Sequence, residues 1–184
     1  MRNQITVLSL DLGMNLGWSR CVCTLRPTLH INAVDHGTVY LDALATERMK
    51  KEYSEVFSRH RVRMNIYEET LRKFIDVVKF DSFVTEDVFC NPTRINSFRS
   101  LAIYMETLER LVNNEKQKRL YTVTPTMCKQ VISGFGHSDK TQVQSAIMNN
   151  KAITMKHPSN ATEHEFDSVA ICYSYVSTYL LTLV

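Results

Sequence analysis

Apolar positions group in two ways along this chain. Ile5 to Leu10 is a short, partly β-branched apolar run, which predicts a buried strand. Gly13 and Gly17 then mark a turn. Trp18 to Leu25 and Leu29 to Tyr40 read as second and third strands, so the chain opens as a meander with short connections. Cys21 and Cys23 flank Val22 as core residues of a strand would. From Leu44 to Val78 the pattern changes. This stretch is charged, lacks Gly and Pro, and places Val56, Leu71, Phe74, Ile75 and Val78 at helical spacing. Ser82 to Val88 predicts another strand. Asn91-Pro92-Thr93 is a turn and helix-start signal, and a helix follows from about Arg94 to Asn113. Leu120 to Val123 is a short strand. Thr124 is a cap for a helix opening at Pro125, which Gly134 and Gly136 break. Ser138 is a candidate cap for a helix carrying Lys140 to Met148, and a last helix runs from about Glu165 to Leu181. Three meander strands followed by alternating helix and strand predict an α/β fold with a mixed sheet. Periodicity alone leaves several such folds open.

Composition narrows the class without naming an activity. The 184 residues suit a single domain spanning 1–184 and are short for two. A content of 44% hydrophobic and 22% charged residues is that of an ordinary soluble globular protein. The formal net charge of +3 permits nucleic-acid binding without demanding it. The five cysteines, Cys21, Cys23, Cys90, Cys128 and Cys172, are odd in number, and their spacing suits neither a disulfide framework nor a zinc site. They read as small buried hydrophobes in a reducing compartment. The N-terminus lacks a basic stretch followed by a long apolar run, and no segment approaches the ~20 apolar residues of a membrane span. The expectation is a cytosolic protein with no membrane partner.

The candidate chemistry is acidic. Asp11 ends an otherwise apolar strand, where a carboxylate is costly to desolvate without a partner. Glu86 has the same setting in Phe83-Val84-Thr85-Glu86-Asp87-Val88, with Asp87 expected on the opposite, solvent side. His164 and Asp167 are three residues apart at the start of the last helix, and so share one face of it. Gathered together, Asp11, Glu86 and Asp167 would repel unless a cation neutralised them. They offer the oxygen ligands of a Mg²⁺ site of one or two ions, with Mn²⁺ as a substitute and His164 as a fourth ligand or proton shuttle. Taken singly, each residue has a plainer reading. Asp11 is a turn-former, Glu86 the partner of a buried Arg or Lys, His164 a helix-start residue, and Glu163, Glu165 and Asp167 the acidic complement of a first helical turn.

These motifs carry a resemblance. Leu8-Ser9-Leu10-Asp11-Leu12-Gly13, with Gly17-Trp18 after it, resembles the first-strand motif of the RuvC family of Holliday junction resolvases, and Val84-Thr85-Glu86-Asp87-Val88-Phe89 resembles its second acidic strand. Val123 to Ile147 is similar to the segment that carries two basic residues, and His164-Glu165-Phe166-Asp167-Ser168-Val169-Ala170 to the C-terminal motif. The resemblance implies an RNase H-like α/β fold, a mixed five-stranded sheet flanked by helices. It implies Asp11, Glu86, His164 and Asp167 as metal-binding catalytic residues. Lys140, and with it Lys129, matches the basic residues near the scissile phosphate. Phe89 matches an aromatic that contacts bases at the junction centre, and Arg94 and Arg99 join Lys129, Lys140 and the Arg/Lys group between Arg48 and Arg63 as candidate phosphate contacts. The implied activity is a Mg²⁺-dependent endonuclease of DNA recombination or repair that resolves four-way junctions by paired symmetric nicks, in a bacterial cytosol or a phage-infected host cell. It also implies a homodimer, for which Leu101, Tyr104, Met105, Leu108, Leu111 and Val112 supply a candidate interface, since they cover more than one core stripe requires. The helical stretch from about Ala45 to Arg63 departs from the family pattern. A broader nuclease of flaps and forks, as in phage-type members, is the alternative. The Asp-Leu-Gly turn also resembles the phosphate motif of sugar kinases and actin-like ATPases, but those folds need two such domains. A DNA-binding module without catalysis would not need all four site positions filled.

Overall fold

The structure, a computed structural model, describes residues 3–52, 59–89 and 95–181. The opening meander is β1 (Gln4–Asp11), β2 (Asn15–Thr24) and β3 (His30–Tyr40), all antiparallel neighbours. Two helices follow, α1 (Leu41–Glu52) and α2 (Arg59–Val77), then β4 (Ser82–Glu86) and α3 (Ile95–Glu109), which continues as a wider π turn over Arg110–Glu115. After β5 (Leu120–Val123) come α4 (Pro125–Ser133), α5 (Lys140–Asn149), β6 (Ile153–Met155), a short 3-10 turn and α6 (Glu163–Tyr175), itself extended by a π turn. The sheet order is β5-β4-β1-β2-β3-β6, with β4 parallel to both β1 and β5, and β6 parallel to β3.

The sheet therefore has six strands where five were expected. The sixth is β6, three residues on the edge beside β3, with Thr154 exposed between partly buried Ile153 and Met155. A segment that short carries no usable alternation. The predicted Leu44–Val78 helix resolves into α1 and α2, with its Val56 outside the described residues, as are Cys90, Asn91-Pro92-Thr93 and Arg94. The strand expected to reach Val88 ends at Glu86, and the last helix starts at Glu163, two residues early. Asp139, and not Ser138, caps α5: its carboxylate accepts from the Gln142 amide at 2.9 Å, and the Gln142 side chain returns the bond to Asp139 N–H. Ser138 is buried, and its hydroxyl donates to the Phe135 carbonyl at 2.7 Å.

Each sheet face has its own core. Leu8 and Leu10 of β1, Leu16 of β2 and Phe83 of β4 pack under α1, α2 and α3. Val7, Cys21, Cys23 and Val84 lie on the opposite face under α4, α5 and α6, where Cys23 and Cys172 bring their sulfurs to 3.8 Å. The four described cysteines are free and buried, as expected of small hydrophobes. The proposed dimer face of α3 is corrected here. Tyr104, Met105, Leu108, Leu111 and Val112 are all buried within the chain, Tyr104 stacked on Tyr67 of α2 at 4.0 Å, and Leu101 is partly buried against the same core. The wide sheet face requires a broad apolar arc of its covering helices, so the excess over a single stripe is spent inside the molecule.

Candidate active site

β1 and β4 run parallel and adjacent, so their C-terminal ends lie side by side. Asp11 ends β1 and Glu86 ends β4. Strand alternation puts Asp11 on the face of Val7 and Ser9, and Glu86 on the face of Val84, which is the face α6 covers. A capping box fixes where α6 begins. The Thr162 hydroxyl accepts from Glu165 N–H at 3.3 Å, and the Glu165 carboxylate accepts from Thr162 N–H at 3.3 Å. His164 and Asp167 then stand one turn apart over the strand ends. Gly17 of β2, paired with Asp11 in the sheet, allows the close approach of α6, because a Cβ there would lie 2.1 Å from the His164 carbonyl oxygen.

His164 Nδ1–H donates to Asp11 Oδ2 at 2.9 Å, and the Asn15 amide donates to His164 Nε2 at 3.3 Å. Ligand atoms of Asp11, His164 and Asp167 all lie within 4.8 Å of one another. Glu86 is not in that group of three, but it lines a cleft of about 230 Å³ together with Asp11, Cys128, Lys129, Lys140 and Asp167. Lys140 Nζ is 2.7 Å from Glu163 Oε1, and that same oxygen is 3.6 Å from His164 Nε2.

Burial dominates the electrostatics. It raises the Asp11 carboxyl above the ordinary carboxylate range, outweighing the pull of the His164 hydrogen bond. It pushes Glu86 up to about 8, with the charges of Asp11 and Asp167 adding to the rise. Asp167 is raised to about 6 by burial and then by Asp11. His164 is raised by its hydrogen bond to Asp11, and Lys140 by its bond to Glu163. Three carboxylates thus share a largely buried cleft, where Asp11 and Asp167 oppose ionisation of Glu86 and Asp11 opposes that of Asp167. The donor set is oxygen-rich with one imidazole, which fits a hard divalent cation of the Mg²⁺ or Mn²⁺ kind.

Of the other candidate residues, Lys129 lies on α4 and lines the cleft. Phe89 is 70% exposed, three residues beyond Glu86. Asp87 is exposed and points away from the carboxylates, its Oδ1 accepting from Val88 N–H. Arg99 is exposed on α3, and Arg94 lies outside the described residues. In the 48–63 group, Arg48 pairs with Glu69 at 2.8 Å and Arg63 with Asp42, so these guanidinium groups tie α1 and α2 together. Sequence reading missed Asn15, Glu163 and Cys128 as site neighbours. Asn15 sits only four residues past Asp11, but the contact that recruits it comes from a helix at the far end of the chain.

No protein-family model matches the chain, and no curated protein sequence does. Solved structures do. Thermus thermophilus RuvC superposes with a TM-score of 0.68 at 13% identity, over 97% of this chain and 96% of that one. The chain has the fold of RuvC. T. thermophilus RuvC in complex with a Holliday junction substrate matches with a TM-score of 0.65 at 15% identity, again over 97% and 96% of the two chains. The yeast mitochondrial Holliday junction resolvase Ydc2 matches with a TM-score of 0.62 at 14% identity, over 92% of this chain and 76% of that one. The RuvC fold is an RNase H-like α/β architecture, and it sets the cleft at the carboxyl ends of two parallel strands, where open α/β sheets build their sites. Among the described residues, no helix is long and apolar enough to cross a membrane.

Proposed function

We propose that the chain is a divalent-metal-dependent endonuclease that binds four-way DNA junctions and resolves them by paired, symmetric nicks as a homodimer. The observation that carries this reading is the cleft that Asp11, Glu86 and Asp167 line from β1, β4 and α6 together with Lys129 and Lys140, with His164 joined to its edge through Asp11. The likeness to RuvC structures, one of them in complex with a Holliday junction substrate, supports the choice of DNA substrate.

Asp11, Glu86, Asp167 and His164 would hold Mg²⁺ or Mn²⁺, as one or two ions. Such an ion, when bound, lowers the pKa of water and stabilises the leaving oxygen of a phosphodiester. The chain's residues do the rest. Lys129 and Lys140 offset the charge of the incoming phosphate beside a carboxylate cluster that would otherwise repel it. Asp11 orients the His164 ring through Nδ1–H, so Nε2, beside the Asn15 amide, is the nitrogen that would turn to the ion. Phe89, exposed beyond the end of β4, stacks on a base at the branch point. Arg99 and Arg94 add phosphate contacts.

The deciding experiment is cleavage of a synthetic four-way junction with and without Mg²⁺, with flap and fork substrates alongside. The expected result is Mg²⁺-dependent cutting of the junction on opposed strands. Undiminished cutting in EDTA overturns the metal site, and equal cutting of flaps and forks favours the broader branch-nuclease reading.

A further inference from the structure

The start of α6 carries four ionisable side chains, Glu163, His164, Glu165 and Asp167, and only two of them join Asp11 in the ligand group. Glu163 leans to Lys140. Glu165, which lies between the two ligands, turns the other way, toward β3. Glu165 and its partner there, His36, keep only 10% and 9% of their side chains exposed. A carboxylate buried that far is costly unless it is fully hydrogen-bonded. Both of its oxygens are used. Oε1 accepts from Thr162 N–H to complete the capping box and lies 3.2 Å from the Thr38 hydroxyl, which is itself 2.6 Å from the Thr162 hydroxyl. Oε2 is bonded by His36 Nδ1, and His36 Nε2 bonds the Lys156 carbonyl. A carboxylate and a carbonyl only accept, so the ring is the donor on both sides.

The sheet register explains why two side chains of β3 reach the helix. His36 pairs with Ser19 and Thr38 with Gly17 across β2 and β3. Strand alternation puts both on the face that α6 covers, with Gly37 between them against Trp18 on the other face. The capping box fixes where α6 starts along its own axis, but it is internal to the helix and does not set where the helix sits on the sheet. Gly17 sets only how near α6 can come. The bond from His36 to Glu165 supplies the attractive counterpart. The same ring binds the chain at Lys156, just before the Pro158–Asn160 turn that leads into α6, so it holds both ends of the connection from β6. Glu165 lies within one helical turn of both His164 and Asp167, so a shift or rotation of that turn moves both ligands together. Ligand sets work only when held within about 0.5 Å of their productive geometry.

We propose that His36 is a positioning residue of the metal site: it seats Glu165 against β3 and so holds His164 and Asp167 over the ends of β1 and β4. The inference rests on the metal-dependent reading of the cleft and adds to it a residue outside the cleft.

The test compares the wild-type chain with His36→Ala, His36→Asn and His36→Gln. The Asn amide takes the place of Nδ1 and keeps a donor to Glu165, whereas the Gln amide takes the place of Nε2 and keeps only the donor to the Lys156 carbonyl. Steady-state cleavage of a synthetic four-way junction gives kcat and KM, and melting curves with and without Mg²⁺ report on the metal site without turnover. His36→Ala and His36→Gln are expected to lower kcat on the order of ten-fold, the scale of a lost supporting partner of a ligand, with KM little changed because Lys129 and Lys140 stand on α4 and α5. Their melting midpoints should rise less with Mg²⁺ than that of wild type. His36→Asn is expected to keep most of the wild-type kcat and Mg²⁺ response. Wild-type kcat and Mg²⁺ response in His36→Gln, a loss confined to KM, or a His36→Asn protein as impaired as His36→Gln overturns this inference alone. If His36→Ala does not fold, the comparison of the other two variants decides. A wild-type chain that neither cuts the junction nor responds to Mg²⁺ overturns the metal reading and this inference with it.

Discussion

Glu86 is the residue at which function and stability most clearly oppose each other. Its carboxyl is raised by burial, and then by Asp11 and Asp167, from an ordinary 4.5 to about 8. The folded chain therefore holds this proton more tightly than the unfolded chain does, and stability falls as pH rises from the unfolded value through the folded one. Asp167, raised to about 6, acts in the same direction over the lower part of that range. The metal-free protein is thus expected to melt at a lower temperature at pH 8 than at pH 6. Glu86→Gln should remove part of that slope and melt above wild type at pH 8. Added Mg²⁺ should raise the wild-type midpoint more at pH 8 than at pH 6, and do so less for the variant. Melting curves with the same pH dependence in both proteins would remove the electrostatic argument. Asp11→Asn makes the complementary case. It deletes a ligand charge that repels phosphate, so junction binding should persist while cleavage falls by more than the roughly 10- to 100-fold that loss of a supporting ligand partner costs. Gel-shift and cleavage assays on the same preparation separate the two effects, and retained cutting would exclude Asp11 from the metal site. Both residues stood out in the sequence as candidates, since a carboxylate closing an apolar strand is costly to desolvate. Glu163 was not. Its bond to Lys140 at 2.7 Å joins α6 to α5, and nothing in the local pattern distinguishes it from an ordinary acidic residue of a first helical turn.

At the scale of elements, α6 does the positioning. Its Thr162–Glu165 capping box fixes where the helix starts, and Gly17 fixes how near that start comes to the sheet. Gly17→Ala would drive a methyl group against the His164 backbone, a contact the helix relieves only by moving away from β1. Overpacking of this kind costs about 1–3 kcal/mol. The expected outcome is a lower melting temperature together with a large fall in kcat, because His164 and Asp167 would leave the strand ends together. Thermal unfolding and single-turnover cleavage check this, and an unaltered kcat would mean that the close approach does not set the site. Boundaries were legible wherever a cap or a glycine marks them. Thr124 and Pro125 open α4, with the Thr124 hydroxyl accepting from Met127 N–H at 3.3 Å, and Gly134 closes it. They were less legible where two caps stand side by side. Ser138 and Asp139 both suit the role, and Asp139 has it because Gln142 completes a reciprocal pair while Ser138 is drawn into the loop. β6 escaped notice because three residues show no period of their own and pair only once β3 is in place.

For the whole molecule, two expectations follow. A cleft with cations beside carboxylates depends on Lys129, Lys140 and exposed arginines for phosphate contact, so junction affinity should fall steeply with salt, with a log–log slope near the number of phosphates engaged. A titration that stays flat from low to high salt would exclude phosphate-dominated binding. A two-fold dimer places two clefts on two equivalent strands, so sedimentation at micromolar concentration should give twice the chain mass, and paired nicks should appear within one binding event. A monomer making single nicks would instead indicate a nuclease of general branches. The inner face of α3 is not free to join two copies, since those side chains already fill the core beneath it. That correction marks the boundary between the two kinds of information. The sequence by itself determined most of the elements, the α/β class and the carboxylates at their ends, because strand alternation, helical period and capping depend on neighbours a few residues apart. Only the tertiary structure decided which apolar faces are spent internally, and that the carboxylates meet. His164 reaches Asp11 across 153 positions because β4 pairs parallel to β1 and α6 packs over both, and that contact is fixed by sheet order and helix packing, which no local period encodes.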